Sequence, residues 1–213
     1  MTFAAIVAAG YLLGSCPWGY WLVRAFRGED VREKGSGNVG ISNVWRNYGW
    51  HLGVPVVLLD FGKGFAPALV GLHVVSPLAG VLAGGAAMVG HWRPLYLGFQ
   101  KSGKMVATAG GVFFAIAPLL AVSGLGVWLS FFFVSGYASV GSLATALFMP
   151  LGSWLYGYPR PTIGFSCAAG LAVLALHHAN VRRLLKGTES RSKYGLLGRR
   201  SRSSRRAVVE NPS

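Results

Sequence analysis

Seven long apolar stretches, separated by shorter polar ones, make up most of this chain. Each stretch approaches the ~20 residues that an α-helix needs to cross the hydrocarbon core of a bilayer. We therefore predict seven transmembrane helices. They cover roughly residues 2–24, 51–73, 76–97, 105–118, 120–136, 138–157 and 161–179. The fourth and fifth stretches are short, and a single helix broken near Pro118 would reduce the number to six.

Composition supports a membrane protein. Of the 213 residues, 53% are hydrophobic and 12% are charged, whereas soluble domains carry roughly a quarter charged residues. Between Met105 and Val181, Arg160 is the single Asp, Glu, Lys or Arg in the sequence. We therefore expect an all-α integral membrane protein in which residues 1–198 form one seven-helix membrane domain.

The positions of the cationic residues predict the orientation in the membrane. The first and third connections and the C-terminal end are rich in Lys and Arg, whereas the second, fourth and sixth connections together contain Arg160 alone. Because basic loops stay in the cytoplasm, we expect the N-terminus outside and the C-terminus in the cytoplasm. Seven spans satisfy this alternation, and six do not. The cations of the two basic loops are Arg24, Arg27, Arg32, Lys34, Arg46, Lys101 and Lys104.

Much of the net charge of +14 lies at the C-terminal end, where ten of the twenty Lys and Arg residues follow Val181. Residues 199–213 are predicted to form a basic, disordered cytoplasmic tail. A basic segment beside the last span is typical of contact with anionic membrane lipids. We expect no nucleic-acid partner, because the sequence lacks a folded basic domain with stacking aromatic residues.

The polar loop from Gly35 to Arg46, GSGNVGISNVWR, is suited to bind a phosphate group. Glycines allow backbone N–H groups to turn towards an anion, serine and asparagine add neutral donors, and the Arg46 guanidinium matches phosphate oxygens. An ordinary polar loop with helix-capping residues is the alternative. The candidate ligands are Ser36, Gly37, Asn38, Gly40, Ser42, Asn43 and Arg46.

Further candidate groups are predicted on the same membrane face as this loop. Lys104 lies in the second basic loop and is a second cation suited to phosphate. His177 and Asn180 end the seventh predicted span, and Ser139 and Ser142 begin the sixth. Their shared position at the cytoplasmic side favours one site that combines both loops.

Polar residues inside predicted spans are the remaining candidates. Asp60 and Lys63 are three residues apart on the second span, so they either pair with each other or face the site. His91 ends the third span and is a further candidate ligand. No metal site is expected, since the sequence has no H-E-x-x-H pattern, paired cysteines or carboxylate cluster.

Six short motifs, in this order, resemble those of the bacterial acyl-phosphate-dependent glycerol-3-phosphate acyltransferases, the PlsY family. The motifs are GSCPWGY at 14–20, DVREKGSGNVG at 30–40, LDFGKG at 59–64, GHWRP at 90–94, GKMVAT at 103–108 and HHANVRRLLKGTE at 177–189. The resemblance covers roughly residues 10–195.

This resemblance implies a bacterial inner-membrane enzyme with its active site facing the cytoplasm. Such an enzyme moves a fatty acyl group from acyl phosphate to the 1-hydroxyl of sn-glycerol 3-phosphate, which yields lysophosphatidic acid and phosphate for phospholipid synthesis. A soluble phosphate acyltransferase that uses acyl carrier protein supplies the donor. Neither coenzyme A nor a metal is implied, and no cofactor is expected.

We assign roles to the candidates on the chemistry of phosphate and acyl transfer. Because acyl phosphate is already activated, the main tasks are positioning and electrostatic stabilisation. The glycine-rich loop and Arg46 hold one phosphate, and Lys104 neutralises charge near the carbonyl or the leaving group. His177 and Asn180 orient the glycerol hydroxyl. The proton acceptor is either His177 or a phosphate oxygen of a substrate.

The sequence departs from the family pattern in places that leave other functions open. Ser102 and Met105 replace two glycines of the second loop, Ile41 and Ser42 replace Ala and Thr, and His178 replaces Arg. A bulky residue at a glycine position is expected to block backbone conformations with φ > 0. The changed second loop makes a family member without full activity one alternative. The several spans and the two phosphate-suited loops make a transporter of a small anion another.

Overall fold

A computed structural model describes residues 2–192 and Leu196, and the predicted tail at 199–213 lies outside this part of the chain. Within the described residues the regular structure is all helical, with no strand. The α-helices are α1 Phe3–Gly14, α2 Trp18–Arg27, α3 Ile41–Tyr48, α4 Trp50–Val70, α5 Pro77–Trp92, α6 Val106–Ile116, α7 Pro118–Ser135, α8 Ala138–Leu155, α9 Arg160–Leu176 and α10 His178–Leu185.

Each of the seven apolar stretches forms helix, so the prediction of an all-α membrane protein is confirmed. Among the described residues, four helical stretches are long and apolar enough to cross a bilayer, and a fifth is the bent pair α9 and α10 with an angle of 51°. The four are Phe3–Arg27, Trp50–Val75, Pro118–Ser135 and Ala138–Leu155. Helix α5 has 16 residues, or ~24 Å, and helix α6 has 11, or ~17 Å, against a hydrocarbon core of ~30 Å. Seven crossings therefore stay a prediction.

Two of the predicted spans differ from the expected continuous helices. The first is divided between α1 and α2 at Ser15–Pro17, because Pro17 has no N–H to donate to the preceding turn. The seventh bends at His177, between α9 and α10. The fourth and fifth stretches are separate helices, because Ala117 leaves the helical region with φ −153° before Pro118 begins α7.

Small residues allow the helices of the bundle to pack with their backbones close together. Helix α4 meets α6 where Gly64 lies against the carbonyl of Thr108 and Gly111 lies against the carbonyl of Phe61. A side chain at either glycine would overlap the opposing backbone. Helices in lipid pack in this way because close van der Waals contact between them takes the place of the hydrophobic effect.

The outer surface of the bundle is apolar, as a lipid environment requires. Leu119, Leu147, Trp154 and Leu171 each have more than 60% of their surface exposed. The main core lies between α5, α6, α7, α8 and α9, where Phe113, Leu120, Met149 and Phe165 are buried. The helices thus present apolar side chains both inwards and outwards, and most charged groups lie at loops and helix ends, apart from Asp60 and Lys63 inside α4.

Candidate functional site

Lys104 and Asn180 are brought together at one end of the bundle. The loop between α5 and α6 presents Lys104, and its Nζ donates a hydrogen bond to Oδ1 of Asn180 at 2.6 Å. Asn180 lies in the first turn of α10 and is buried. The two residues are 76 positions apart, and the fold brings the second basic loop and the end of the last predicted span together.

Glu189 connects this pair to two further elements. Its Oε1 accepts hydrogen bonds from Nδ2 of Asn180 at 2.6 Å and from Oγ of Ser139 at 2.9 Å, and its Oε2 accepts from Nε of Arg183 at 2.6 Å. Ser139 begins α8, whereas Glu189 follows α10. We call Lys104, Asn180, Glu189, Ser139 and Arg183 the polar cluster.

Sequence analysis missed Glu189 and Arg183 as site residues. Both lie in the GTE-containing motif, but a single carboxylate and one of many arginines in a basic segment give no pattern of their own. The signal that could have found Glu189 is that it is the sole carboxylate between Met105 and Asn211 apart from Glu210. A lone carboxylate beside the cations of a membrane protein is expected to pair with one of them.

Burial controls the charge state of Lys104. Its pKa is lowered from 10.5 to about 8, chiefly by burial and then by the nearby Arg183, while Glu189 acts in the opposite direction. Arg46 and Lys101 also lower this pKa, which places both cations within electrostatic reach of Lys104. For Glu189, burial raises the pKa, but the hydrogen bonds from Asn180, Arg183 and Ser139 outweigh it, and the pKa is lowered. The cluster therefore holds a carboxylate with an excess of positive charge.

His177 occupies the bend between α9 and α10 and is buried. Its Nδ1 lies 2.8 Å from the carbonyl oxygen of Val173. Because a carbonyl can only accept, Nδ1 carries the hydrogen, which leaves Nε2 as the unprotonated ring nitrogen of the neutral form. The imidazole is thus oriented for its Nε2 to accept a proton.

In the first polar loop, the Asn43 side chain forms hydrogen bonds to backbone groups of the protein. Its Oδ1 accepts from the backbone N–H of Ser36 at 3.0 Å, and its Nδ2 donates to the carbonyls of Val31 at 3.2 Å and Lys34 at 3.0 Å. The side chain is 2% exposed. Asn43 therefore shapes the loop, which the amide's two donors and one acceptor make possible.

Some of the other polar groups of this loop form hydrogen bonds within the protein, and others are exposed to solvent. The N–H of Gly40 donates to Oδ1 of Asn38 at 2.7 Å, and the N–H of Gly37 donates to a loop carbonyl at 3.1 Å. Ser36, Ser42 and Arg46 are exposed, and Arg46 donates from Nη2 to the carbonyl of Ser42 at 3.2 Å. The donors presented to solvent include the two hydroxyls and the guanidinium.

Ser142 lies one turn beyond Ser139 on α8 and is held by Trp128 of α7. Its Oγ accepts from the Trp128 indole N–H at 3.2 Å and donates to the carbonyl of Ala138 at 2.9 Å. Sequence analysis gave no role to Trp128, because an aromatic residue in an apolar helix is indistinguishable from a core or lipid-facing one.

Lys63 and His91 lie inside the bundle. Lys63 pairs with Asp60, with Nζ 2.8 Å from Oδ1, and Nδ1 of His91 is 3.6 Å from the same oxygen. All three side chains are at most 6% exposed. Of the two alternatives open for Asp60 and Lys63, the structure shows pairing.

The expectation that Met105 blocks a positive φ is wrong. Met105 adopts φ +67°, in the left-handed region, immediately before α6, and Phe99 in the same loop has φ +60°. The Met105 side chain is 4% exposed and belongs to the main core. Its burial offsets the unfavourable backbone conformation.

Comparison with known proteins relates the chain to a single group. The sequence profile of the family described as "Glycerol-3-phosphate acyltransferase" matches residues 4–187. A protein with that name from Synechococcus sp. (strain JA-3-3Ab) is 42% identical over 190 residues, which cover 88% of this chain and 93% of the relative. One from Aquifex aeolicus (strain VF5) is 39% identical over 188 residues, covering 87% and 97%.

Two solved structures are similar to the fold. The crystal structure of PlsY (YgiH), an integral membrane glycerol 3-phosphate acyltransferase, in its glycerol 3-phosphate form has a TM-score of 0.85 and 38% identity. The similarity covers 89% of this chain and 94% of the chain in that crystal structure. The lysophosphatidic acid form has a TM-score of 0.83 and 35% identity, with coverages of 90% and 96%.

Proposed function

Since the chain belongs to the PlsY family of glycerol-3-phosphate acyltransferases, we propose that it transfers a fatty acyl group from acyl phosphate to the 1-hydroxyl of sn-glycerol 3-phosphate. The products are lysophosphatidic acid and inorganic phosphate. The observation that carries this proposal is the hydrogen bond between Lys104 and Asn180, which places a half-buried cation where two of the family's motifs meet. A phosphate on both substrates explains the need for such a cation.

The exposed donors of the first loop and the polar cluster form the two parts of the proposed site. Ser36, Ser42 and Arg46 bind the phosphate of glycerol 3-phosphate, while Lys104 neutralises charge on the donor's phosphate or the developing oxyanion. Gly37, Asn38, Gly40 and Asn43 hold the loop in its shape. Arg46 acts on the pKa of Lys104, which supports a single site rather than two.

The proposed reaction is a direct transfer. The 1-hydroxyl oxygen attacks the acyl carbonyl carbon, a C–O bond forms, and the bond between the acyl carbon and the phosphate oxygen breaks. Phosphate leaves with the electron pair, and the hydroxyl proton passes either to Nε2 of His177 or to a phosphate oxygen of a substrate. Asn180 and His177 orient the hydroxyl, so that much of the rate enhancement comes from positioning. No metal or other cofactor enters these steps.

The proposed setting is the bacterial inner membrane, with seven spans, the N-terminus outside and the site facing the cytoplasm. Support comes from two contacts between segments that are predicted to be cytoplasmic. Arg32 of the first basic loop donates a hydrogen bond to Gln100 of the second, and Lys104 of the second loop donates one to Asn180 near the C-terminal end. A soluble phosphate acyltransferase supplies the donor from acyl carrier protein, and membrane lipids surround the apolar helices.

The donor is tested with purified protein in detergent. Labelled glycerol 3-phosphate is incubated with palmitoyl phosphate, palmitoyl-coenzyme A or palmitoyl-acyl carrier protein in separate reactions. We expect labelled lysophosphatidic acid and released phosphate with acyl phosphate alone. Equal or better activity with a thioester would contradict the proposed donor. No product with any donor, together with uptake of labelled glycerol 3-phosphate into proteoliposomes, would support a transporter.

The assignment of Arg46 is tested in the same assay. Arg46 is exposed, and we propose that it binds the phosphate of glycerol 3-phosphate. Arg46→Ala is therefore expected to raise KM for glycerol 3-phosphate by ~10-fold or more, with a smaller change in kcat. Arg27→Ala, an arginine at the end of α2, is the matched control and should leave KM unchanged. A normal KM in Arg46→Ala would remove Arg46 from the site.

A further inference from the structure

Asp60, Lys63 and His91 form a buried charged cluster beside the loop that presents Lys104. The Asp60 carboxylate lies between the Lys63 ammonium at 2.8 Å and the His91 ring at 3.6 Å. The side chains of Asp60 and Lys63 are 3% and 2% exposed, and that of His91 is 6% exposed. We call these three residues the buried triad. Their burial makes direct contact with a substrate from solvent unfavourable.

The buried triad is attached to the break in the first helical stretch. Nζ of Lys63 donates to the carbonyl of Cys16 at 2.9 Å. Cys16 precedes Pro17, where the helix stops and α2 begins. In a membrane, backbone groups released by such a break need a partner inside the protein. Lys63 therefore connects α4 to a fixed point between α1 and α2.

On its other side, the buried triad holds the loop that leads to Lys104. The N–H of Gly103 donates to the carbonyl of His91 at 3.2 Å, and the N–H of Ser102 donates to the carbonyl of Trp92 at 3.0 Å. The His91 ring lies directly against Gly103, since a side chain at that position would overlap Nε2. Lys104 is the next residue, so the position of His91 determines where the Lys104 backbone begins.

We propose that the buried triad is a positioning device for the catalytic lysine, in which Lys63 and Asp60 fix the His91 ring and the ring fixes the Gly103–Lys104 backbone. This inference rests on the proposed acyl transfer. It changes the role expected for Lys63 and His91, which act through Lys104 and do not bind substrate.

Physical chemistry explains why charges occupy this place. Buried ion pairs are weak stabilisers compared with apolar residues of similar size, and their retention is best attested where one arrangement must be specified. Lys63 is held by the Cys16 carbonyl at 2.9 Å and holds the Asp60 carboxylate at 2.8 Å, so the charge beside the His91 ring has a fixed place. A polar ring 3.6 Å from this carboxylate is favoured in one position, whereas apolar side chains can slide past one another. A displacement of ~1 Å at a catalytic group can reduce the rate ~100-fold.

The contact between His91 and Gly103 is tested by a double-mutant cycle. Gly103→Ala forces the ring away, and His91→Ala removes it, so each is expected to lower kcat/KM for glycerol 3-phosphate on the order of 100-fold. In the His91→Ala/Gly103→Ala protein, the new methyl group occupies vacated space. We expect a loss of about 100-fold in the double variant as well, whereas independent effects would multiply to about 10,000-fold.

A second readout separates positioning from loss of stability. If the loop is displaced, Lys104 becomes more solvated, and the decline of kcat/KM at high pH should move in His91→Ala from near the pKa of about 8 towards the ordinary lysine value. The charged groups facing Lys104, namely Arg183, Glu189, Arg46 and Lys101, are unchanged in this variant. Val112→Ala is the matched control, because Val112 is fully buried in α6 and packs against Gly84. It should lower the melting temperature while leaving the pH profile as in the wild type.

The outcomes distinguish this inference from the proposed function. Wild-type protein that makes no lysophosphatidic acid contradicts the proposed function. Active wild type combined with multiplicative losses, an unshifted pH profile, or near-normal activity in His91→Ala overturns the positioning role. If His91→Ala does not purify, His91→Gln serves instead, because it keeps a polar group near Asp60 while removing the ring from Gly103.

Discussion

Burial and nearby cations disfavour the protonated form of Lys104. The activity is therefore expected to depend on pH. Its pKa is lowered from 10.5 to about 8 by burial and by nearby cations. The lysine is protonated below this pKa and loses its charge as the pH rises through it. We therefore expect kcat/KM for glycerol 3-phosphate to fall above pH ~8 by about ten-fold per pH unit.

The control for this prediction is Lys104→Arg, because a guanidinium keeps its charge throughout this range. The alkaline decline should then move to higher pH, even where the absolute activity is lower. A decline at the same pH in Lys104→Arg would assign the titration to another group.

Met105 gives a stability prediction at the same scale. Both Met105→Ala and Met105→Gly lose the buried side chain, but glycine alone adopts φ +67° without steric strain. Met105→Gly should therefore be more stable than Met105→Ala by about 1 kcal/mol, as measured by thermal unfolding in detergent. Equal or reversed stabilities would show that the left-handed conformation is not strained here.

Single residues also show where sequence reasoning succeeds and where it ends. Lys104 and Asn180 were predicted on one face, and the fold brings them into contact, because basic loops and helix ends on the same side of a bundle converge. The engagement of Asn43 within its own loop was not predictable, since an amide serves equally as a ligand and as a structural hydrogen-bonding group. Glu189 was missed because its partners are 6 to 50 positions away.

At the scale of helices, hydropathy located all seven helical stretches but not their interruptions. A window of about 20 residues averages over Pro17 and His177, so the breaks inside the first and seventh stretches left no trace in the pattern. Polar groups lie at both of these breaks. One receives the Lys63 ammonium, and the other contains the candidate base.

The packing of α4 against α6 gives a prediction with an internal control. Gly64 lies against the carbonyl of Thr108, whereas Gly62 has open space around it. Gly64→Ala is therefore expected to destabilise the protein by about 2 kcal/mol or more. Gly62→Ala should be neutral or stabilising by up to about 1 kcal/mol, because alanine favours helix. Similar melting temperatures for the two variants would contradict the close contact between these helices.

At the scale of the whole molecule, composition and charge determined the class, and the number of crossings depends on the two short helices α5 and α6. Seven spans place Gln100, before α6, and Tyr156, after α8, on opposite sides of the membrane. If α6 does not cross, both lie on the same side. The two residues are exposed, which makes them suitable positions for labelling.

This topology is tested with single cysteines at Gln100 and Tyr156, after Cys16 and Cys167 have been replaced by serine. A membrane-impermeant maleimide should label the Tyr156→Cys protein in right-side-out vesicles and the Gln100→Cys protein in inverted ones. Labelling of both from the same side would reject seven crossings.

The link between Lys104 and Glu189 has a consequence for synthesis of the protein. The loop with Lys104 is synthesised before Asn180, Arg183 and Glu189, the first of which lies 76 positions later in the chain. During that interval the lysine lacks its polar partners. A nascent chain that is released before Asn180 cannot assemble the polar cluster. We therefore expect such truncated products to have no acyl-transfer activity, rather than a reduced one.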